Sequence, residues 1–328
     1  MFKNKTILIT GGTGSFGKNF AKFLLKNSKL KKLIIFSRDE FKQYEMQKEI
    51  GDPRIRFFIG DVRDLSRLQR AFYGVDMVIH AAALKQVPTL EYNPFEAVKT
   101  NIIGSQNIID ASIDQKVSKT LLISSDKAVQ PINLYGATKL AAEKLFVAAN
   151  SYTSLTKRSI FSAVRYGNVM GSRGSIVETL LKKPAAEKVF ITHPEMTRFW
   201  LTLPESFQLV SFAIKHMGGG EIIVPKIPSM KITELFDALA PQAKKVIIGI
   251  RPGEKIHETL LTEHEARNTI LVDRYFVILP EFKPKAKLFD HYFDMGTKLN
   301  THIAFASNTN DTWLTEQELK SKIEPTLS

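Results

Sequence analysis

Two short segments of the chain carry side chains that could do acid–base chemistry. One is Ser124–Lys127, where two hydroxyls precede a carboxyl and an amine, and the other is Tyr135–Lys139. Tyr135 and Lys139 are four residues apart, about one helical turn, so both can face the same site. An ammonium group beside a phenol favours the phenolate, so Tyr135 could act as a base near neutral pH. The predicted catalytic residues are therefore Ser125, Asp126, Lys127, Tyr135 and Lys139.

The adjacent charges of Asp126 and Lys127 suggest chemistry beyond simple hydride transfer. The plainer interpretation is a surface salt bridge in a loop. Adjacent residues at the end of an extended strand point in opposite directions, however, which makes a bridge between these two less natural. We expect burial against a bound substrate to push both groups toward neutrality, so that the acid holds a proton near neutral pH and the amine gives one up.

A glycine-rich turn follows the first apolar run and opens a helix. Gly11, Gly14 and Gly17 are spaced G-x-x-G-x-x-G. The first glycine allows a tight turn, the second lets the backbone approach a pyrophosphate, and the third permits close packing of helix on sheet. The helix N-terminus would then face the phosphates of a dinucleotide. The predicted contacts in this loop are Gly11, Thr13, Gly14, Ser15, Phe16 and Gly17.

The end of the second apolar run bears on the choice between NAD and NADP. An acidic residue at position 37 would favour the unphosphorylated ribose of NAD, but the chain has Ser37 followed by Arg38, which suit a 2′-phosphate. Asp39 weakens this argument without reversing it, so we expect NADP. Further predicted cofactor contacts are Asp61 and Val62 after the third run and the small Ala81 and Ala82 after the fourth.

Short apolar runs alternate with amphipathic segments through the first half of the chain. This alternation is typical of an α/β fold with a doubly wound parallel sheet, the Rossmann arrangement. We expect residues 1–170 to form the NADP-binding domain, with a returning segment near 198–224, and 171–328 to form mainly a smaller substrate-binding lobe. The polar stretch 305–328 is expected to be partly loose. Candidate strands are Thr6–Thr10, Lys32–Phe36, Arg56–Ile59, Met77–His80, Thr120–Ser124 and Ile160–Val164, and candidate helices are Gly17–Leu25, Leu65–Phe72, Pro94–Ser112 and Leu134–Asn150.

Composition limits the remaining possibilities. The 328 residues carry a net charge of +13, but the basic residues are scattered, which favours a polyanionic small ligand over a nucleic acid. With no cysteines and no metal-ligand spacing among the seven histidines, we expect no metal site; His257-Glu258 is not an H-E-x-x-H motif because residue 261 is Leu. We expect no signal peptide, no membrane span and a cytoplasmic location.

Together these motifs resemble the extended short-chain dehydrogenase/reductase family over residues 5–262. Within that family the chain is similar to the inverting UDP-N-acetylglucosamine 4,6-dehydratases, which begin pseudaminic acid synthesis for flagellin glycosylation and assemble as hexamers. Gln130 departs from the subgroup, which often has Asn there. The segments that carry the resemblance are Gly11–Gly17, Asp61-Val62, His80–Ala83, Asn101, Ser124–Val129, Tyr135–Lys139, Arg165–Val169, Thr197–Trp200 and Arg251–Glu258.

The resemblance implies an internal redox dehydration of UDP-N-acetylglucosamine with NADP that is recycled in each turnover. Tyr135, held as phenolate by Lys139, takes the 4-hydroxyl proton while Ser125 hydrogen-bonds that hydroxyl. Neutral Lys127 then removes the C5 proton, and protonated Asp126 donates to the departing 6-hydroxyl. Reprotonation of C5 from the opposite face gives a UDP-2-acetamido-2,6-dideoxy-4-hexulose of arabino configuration. Which group delivers that last proton is left open.

The predicted substrate contacts lie mostly in the second half of the chain. Arg251 could grip the diphosphate through two N–H groups, and Glu254 could accept from ribose hydroxyls. Arg198 is a weaker phosphate candidate that could be purely structural. By resemblance, Lys85 lies at the edge between sugar and cofactor. The full predicted set is Lys85, Asn168, Val177, Thr192, Arg198, Arg251 and Glu254.

Three other functions remain open at this point. A UDP-hexose 4-epimerase would need the glycine loop, Tyr135 and Lys139 but not Asp126 and Lys127. A retaining 4,6-dehydratase would share the chemistry and differ at C5. A non-catalytic NADP-binding regulator should have lost Tyr135 or Lys139, and this chain keeps both.

Overall fold

The fold consists of a large sheet with helices on both faces and a smaller lobe beside it. The computed structural model describes residues 1–152, 159–172, 174–182, 187–281, 289–299 and 302–327. The strands in these ranges are β1 (Thr6–Thr10), β2 (Lys32–Ser37), β3 (Ile55–Ile59), β4 (Met77–His80), β5 (Lys119–Ile123), β6 (Ile160–Val164), β7 (Asn168–Val169), β8 (Lys188–Ile191), β9 (Thr197–Leu201), β10 (Ile222–Pro225), β11 (Ser229–Lys231), β12 (Lys244–Ile247), β13 (Thr259–Leu261), β14 (Thr269–Val272), β15 (Tyr275–Ile278), β16 (Thr297–Lys298) and β17 (Phe305–Ala306).

Helices alternate with the strands in the first half of the chain, as the sequence predicts. Those in the described ranges are α1 (Ser15–Asn27), α2 (Glu40–Ile50), α3 (Leu65–Phe72), α4 (Val87–Tyr92), α5 (Pro94–Ala97), α6 (Gly104–Asp114), α7 (Leu134–Ala148), α8 (Ile176–Lys182), α9 (Leu203–His216), α10 (Ile232–Leu239), α11 (Glu263–Ala266), α12 (Asp290–Met295) and α13 (Glu316–Leu327).

The main sheet has ten strands in the order β16-β14-β15-β10-β6-β5-β4-β1-β2-β3. From β3 to β10 all neighbours are parallel, and β15, β14 and β16 add an antiparallel edge. The order 3-2-1-4-5-6 confirms the predicted doubly wound fold, whose ligand crevice lies where the order reverses, between β1 and β4. Strand β1 is buried along its whole length, as expected of a sheet covered on both faces.

Two helical predictions need correction. The sequence predicts one helix from Pro94 to Ser112, but a π-helical segment, Val98–Ile103, separates α5 from α6. Helix α2 is absent from the predicted set, because only Gln43 and Met46 are buried on it and it lacks an apolar stripe.

The second half of the chain contributes more to the sheet than predicted. Besides α9 and β10, which return to it near 203–225, strands β14, β15 and β16 extend its edge. The lobe has its own core around Trp200, Leu235 and Phe236. The expectation of a loose stretch at 305–328 is wrong for the described part up to 327, because β17 pairs with β13 and both Leu319 and Ile323 are buried in the lobe core. Residue 328 lies outside the described residues.

Candidate active site

The glycine loop lies at the carboxyl end of β1, at the reversal point of the sheet. Gly11 has a φ of 64°, and a Cβ atom there would lie 2.8 Å from the Ala82 backbone nitrogen. A Cβ atom on Gly17 would lie 2.6 Å from the Gly12 Cα, so this glycine is needed for α1 to pack closely. At Gly14 the nearest such neighbour among the described residues is the Gly11 carbonyl oxygen at 3.2 Å, so a side chain there would also be tight.

The start of α1 has the features of a phosphate site. No side chain in the described part of the chain caps its N-terminus. A cleft in front of it is lined by Thr13, Gly14, Ser15 and Lys18, among others. Partial positive charge at a helix N-terminus and a lysine both favour a phosphate, so these residues fit a dinucleotide. The side chain of Phe16, another predicted cofactor contact, packs on Phe207 with ring centroids 6.0 Å apart.

Two charged residues after β2 are directed differently. Asp39 caps α2, accepting from the Lys42 backbone nitrogen at 3.0 Å, and its other oxygen lies 2.6 Å from Lys42 Nζ. Asp39 is thus directed to its own helix, while the Arg38 side chain is 54% exposed. Ser37 is buried, and its hydroxyl accepts from Gln43 Nε2 at 2.9 Å.

Asp61 and Val62, the predicted adenine neighbours, follow β3. Asp61 is paired with Arg63 at 2.7 Å and lies 3.7 Å from Arg38 Nη1. Val62 is buried, and its carbonyl accepts from Asn107 Nδ2 at 3.0 Å. Arg38 and Arg63 thus both lie beside the Asp61 carboxylate.

The ends of β1 and β4 are tied together beside the glycine loop. Thr10 Oγ1 lies 2.7 Å from His80 Nδ1 and accepts from the Ala82 backbone nitrogen at 3.3 Å. Burial, helped by the Lys139 charge, lowers the pKa of His80 to about 3, so the ring is neutral. Partial burial lowers the pKa of Lys85, and the charge of Lys127 lowers it further, so Lys85 lies near Lys127.

Asp126 and Lys127 lie on a 3₁₀ turn, Asp126–Ala128, directly after β5. The Ser125 hydroxyl accepts from the Lys127 backbone nitrogen at 3.1 Å and so caps the turn. Helix α7 lies directly against it, because a Cβ atom on Gly136 would collide with the Lys127 carbonyl oxygen. Gly136 therefore lets the helix that carries Tyr135 touch the turn that carries the charged pair.

The two charged side chains do meet, so the expectation that they point apart is wrong. Lys127 Nζ donates to Asp126 Oδ1 at 3.2 Å. The cause is the 3₁₀ turn, which replaces the extended backbone assumed from the sequence. This is not a surface bridge, since Asp126 is only 1% exposed and its Oδ2 has no hydrogen-bond partner among the described residues.

A second carboxylate, Glu258, shares the same ammonium group. Its Oε1 lies 3.4 Å from Lys127 Nζ, and Glu258 also lies 3.7 Å from Lys255 Nζ and 4.0 Å from Arg198 Nε. Burial alone would raise the pKa of Glu258, but the charges of Lys127, Arg198 and Lys255 outweigh it and hold that pKa below its usual range. Glu258 is therefore the ionised carboxylate of the cluster.

The predicted tuning is right in direction for Asp126 and wrong for Lys127. Burial raises the pKa of Asp126 more than the Lys127 charge lowers it, and the Glu258 charge raises it further. Burial alone would lower the pKa of Lys127, but the charges of Asp126 and Glu258 together raise it. The pKa of Asp126 is thus shifted toward the protonated acid, while the charges around Lys127 favour its ammonium form.

Tyr135 and Lys139 share one face of α7, but the pKa of Tyr135 is not lowered by Lys139 as expected. Burial raises the pKa of Tyr135, and the charge that opposes this is that of Lys127, aided by a hydrogen bond with Ser125. Lys139 Nζ instead donates to the Ile123 carbonyl at 2.6 Å, and burial lowers its pKa to about 8. The expected phenolate stabilised by Lys139 is therefore not present in this arrangement, in which Tyr135 is a neutral phenol beside Ser125.

The segment from Arg251 to Glu258 closes the site from the opposite side. Asn133 caps α7 and also donates through Nδ2 to the Gly253 carbonyl at 2.7 Å. Lys255 Nζ donates to the Val129 carbonyl at 2.6 Å. Arg251 is exposed, and its backbone nitrogen donates to Glu254 Oε2 at 3.4 Å. Arg251 thus remains available to a ligand.

Arg198 holds that segment in place. Its guanidinium donates to three backbone carbonyls, those of Thr197, Lys255 and Ile256, at 2.8–2.9 Å. It also lies 3.9 Å from Glu254 and is only 6% exposed. These contacts match the structural role that the sequence left open.

The remaining predicted substrate residues lie in the lobe. Asn168 on β7 pairs with Trp200 on β9 and is half-buried. Val177 is fully buried in the lobe core, so only its backbone could meet a ligand. The Thr192 hydroxyl is buried and donates to Met196 Sδ at 3.3 Å.

Two further features of the described residues concern metal binding and membrane insertion. No group of three or more His, Cys, Asp or Glu side chains in these residues could hold a metal ion. No helix in the described ranges is long and apolar enough to cross a membrane.

A family model described as "Polysaccharide biosynthesis protein" matches residues 7–280. The chain belongs to this family. Its resemblance to the inverting UDP-N-acetylglucosamine 4,6-dehydratases is confirmed as well. The chain is 49% identical over 334 aligned residues to the UDP-N-acetylglucosamine 4,6-dehydratase (inverting) of Campylobacter jejuni, with 99% of each chain covered.

Other similar proteins carry a different name. The UDP-glucose 4-epimerase of Rickettsia conorii is 44% identical over 273 residues, which cover 81% of this chain and 80% of that protein. Among solved structures, Pen from Bacillus thuringiensis superposes with a TM-score of 0.90 at 36% identity, covering 100% of this chain and 99% of that one. The dTDP-glucose 4,6-dehydratase DesIV from Streptomyces venezuelae has a TM-score of 0.68 at 20% identity over 76% of this chain and 86% of that one, which shows a shared fold.

Three residues that build the site were missed by the sequence reasoning. Glu258 stands in a motif quoted for the family resemblance, but it is 131 positions from Lys127 and nothing in the sequence pairs them. Asn133 and Gly136 flank Tyr135. A helix-capping signal at Asn133 was available, since Asn is a favoured N-cap residue directly before a predicted helix.

Proposed function

We propose that the chain is a UDP-N-acetylglucosamine 4,6-dehydratase that inverts C5, a hydro-lyase whose product is UDP-2-acetamido-2,6-dideoxy-β-L-arabino-hex-4-ulose. One observation carries the proposal: a buried Asp126 whose pKa is raised lies beside Lys127 and against the helix that bears Tyr135. A redox-only enzyme of this fold needs a base at the 4-hydroxyl but no acid for a leaving hydroxyl. The 49% identity to the Campylobacter jejuni enzyme supports the same conclusion.

The cofactor of this proposal is NADP, held at the glycine loop and at Arg38. When bound, it would accept a hydride from C4 of the sugar and return one to C6. The glycine loop, the start of α1, which no side chain of the described residues caps, and the exposed Arg38 suit its diphosphate and 2′-phosphate. Tyr135 and Lys139 would face the nicotinamide end, with Lys139 leaving its bond to the Ile123 carbonyl for the ribose.

Tyr135 accepts the proton of the sugar 4-hydroxyl, and Ser125 orients that hydroxyl. The neutral phenol must first release its own proton to solvent. The nearby Lys127 ammonium favours this step by lowering the pKa of Tyr135 against the effect of burial. Once C4 is a ketone, the C5 proton becomes acidic. Lys127 removes it after passing its ammonium proton to a neighbouring carboxylate, and Asp126 protonates the departing 6-hydroxyl as water is lost.

The nucleotide half of the substrate is assigned to the lobe and the closing segment. Arg251 is exposed and suits a diphosphate, and Glu254 suits ribose hydroxyls. Lys85 lies near Lys127 and suits the sugar edge. Asn168, Val177 and Thr192 complete the proposed contacts, and Arg198 acts through the segment it holds. We further propose a homohexamer working in the cytoplasm on pseudaminic acid synthesis for flagellin glycosylation.

A 4-epimerase is the second candidate, because several similar proteins carry that name. Mass spectrometry after incubation with UDP-N-acetylglucosamine separates the two, since only a dehydratase lowers the mass by one water. The Asp126→Asn variant is the matched control and should lose water about 10²–10⁴-fold more slowly. A mass-neutral 4-epimer formed equally by both proteins would favour the epimerase.

A further inference from the structure

Glu258 is a buried carboxylate to which the predicted mechanism assigns no role. Its side chain is 3% exposed, and its Oε1 lies 3.4 Å from Lys127 Nζ. Its Oε2 lies 3.7 Å from Lys255 Nζ but has no hydrogen-bond partner among the described residues. A buried carboxylate held beside a catalytic amine requires an explanation, because burying a charge is costly unless it is balanced.

Counting charges shows what Glu258 can do. Asp126 and Glu258 are both buried and both pair with the one ammonium group of Lys127. Burial and the repulsion between the two carboxylates favour a proton on one of them. Glu258 lies within 4.0 Å of three cations, Lys127, Lys255 and Arg198, whereas Asp126 has an ion pair only with Lys127 among the described residues. The proton therefore goes to Asp126.

We propose that Glu258 is a positioning residue that balances the charge of Lys127 and so leaves Asp126 protonated as the acid for the departing 6-hydroxyl. The inference rests on the dehydratase function proposed above. With Asp126 already protonated, Glu258 is also the neighbour that can take the proton of Lys127 before the C5 step. One N–H bond breaks on Lys127, one O–H bond forms on Glu258, and the net charge of the site does not change.

The charge balance includes every group that faces this carboxylate. Tyr135 faces Lys127 from α7, and Lys85 faces Lys127 from the loop after β4. Glu254 lies beside Arg198. The titratable and charged groups around Glu258 are Asp126 and Lys127 on the turn, Arg198 on β9, Tyr135 on α7, Lys85, and Glu254, Lys255 and His257 on its own segment.

The test compares Glu258→Gln with the wild type, both carrying their bound cofactor. Removing the Glu258 charge lowers the pKa of Asp126, because Lys127 then has only that carboxylate to pair with. The acid form exists below the pKa and is lost as pH rises through it, so the alkaline limb of kcat for water loss should move to lower pH by about one unit or more. At a pH on the wild-type alkaline limb, the variant should therefore dehydrate the substrate about tenfold more slowly than the wild type. The rate at which reduced cofactor forms on mixing with substrate should change less than threefold.

Infrared difference spectra supply a readout that does not depend on turnover. At neutral pH the wild type should show the C=O band of a protonated carboxyl that disappears in Asp126→Asn, and Glu258→Gln should lack the same band. Glu258→Asp, which keeps the charge, should restore it in part. Glu265→Gln is the control, because it also removes a partly buried carboxylate from an ion pair, the one with Arg165, away from this cluster. This variant should keep the alkaline limb of kcat at the wild-type pH.

Two outcomes would overturn the inference. One is an alkaline limb in Glu258→Gln that coincides with that of the wild type. The other is a protonated-carboxyl band in Glu258→Gln as strong as in the wild type, a measurement that needs only folded protein. If the proposed dehydratase function is wrong, the result differs from both of these outcomes, because the wild type then releases no water from UDP-N-acetylglucosamine at any pH.

Discussion

Asn133 joins two parts of the site that are far apart in sequence: its Nδ2 donates to the Gly253 carbonyl at 2.7 Å, while its Oδ1 accepts from the Gly136 backbone nitrogen at 2.8 Å. One amide thus caps the helix that carries Tyr135 and fastens to it the segment that carries Arg251 and Glu254. The proposed catalytic base and the proposed nucleotide contacts are therefore positioned by the same side chain.

Replacing Asn133 should weaken both functions. Asn133→Ala loses the cap and the tether, and we expect the free energy of unfolding to fall by about 1–2 kcal/mol, measured by urea denaturation. KM for the nucleotide sugar should rise as well, because the closing segment is released. Asn133→Asp keeps the capping oxygen but loses the donor, so it should retain most of the stability and still show the raised KM. An unchanged KM in both variants would contradict the tether.

Gly136 should tolerate no side chain. A Cβ atom there would collide with the Lys127 carbonyl, so Gly136→Ala must push α7 away from the catalytic turn. We expect the dehydration rate to fall by about tenfold or more, since small misplacement of reacting groups is costly. Ala137→Ser, at the exposed neighbouring position, is the control and should behave as the wild type. Comparable rates for the two variants would refute the close contact.

These contacts also show where the sequence was sufficient and where it was not. The strands Thr6–Thr10, Met77–His80 and Ile160–Val164 have the predicted bounds, because each is a continuous apolar run buried on both faces. The glycine loop was readable because its three positions have separate steric requirements. Such local patterns predicted the Rossmann core without reference to distant residues.

The charges of the site could not be predicted in the same way. Whether Lys127 is neutral depends on Glu258, which reaches it only through tertiary packing. Whether Asp126 and Lys127 meet depends on a 3₁₀ turn of three residues, which is too short to leave a periodic signal. The π-helical segment Val98–Ile103 left no signal either, although its Asn101 bonds both backbone groups of Leu84 in the loop after β4.

Asp126→Asn should separate oxidation from elimination. Asparagine resembles the protonated acid in shape, so the fold should be kept, but it cannot supply a proton to the 6-hydroxyl. Loss of general acid catalysis is worth about 10²–10⁴-fold. We expect water loss to slow by that factor while reduced cofactor still forms on mixing with substrate, followed by its absorbance. Equal slowing of both steps would place Asp126 in the oxidation step instead.

Arg38 should set the preference for NADP over NAD. A charged hydrogen bond to a phosphate contributes about 1.5–3 kcal/mol, so Arg38→Ala should weaken NADP binding by about 10–100-fold and leave NAD binding nearly unchanged. Isothermal titration of cofactor-free protein measures both affinities. The exposed Arg70 on α3 provides the control variant Arg70→Ala. An equal loss for the two cofactors would show that Arg38 does not read the 2′-phosphate.

The buried Lys139 predicts a pH dependence of stability. Burial lowers its pKa from an ordinary 10.5 to about 8 in the folded, cofactor-free protein. The unfolded chain thus binds more protons between those two values, and the wild type gains stability as pH rises through that range. Lys139→Met should therefore be more stable than the wild type at pH 7, with an advantage that shrinks between pH 8 and about 10.5. Thermal unfolding of both proteins across this range measures the difference, and a pH-independent difference would contradict the lowered pKa.

The most direct test of the central claim is proton NMR of the protein with UDP-N-acetylglucosamine in deuterated water and no added cofactor. An inverting dehydratase with a recycled dinucleotide gives a new C6 methyl signal, deuterium at C5 and coupling constants of the arabino configuration. Appearance of the 4-epimer with no methyl signal would contradict the acid–base roles assigned to Asp126 and Lys127, and a xylo product would contradict the inversion at C5.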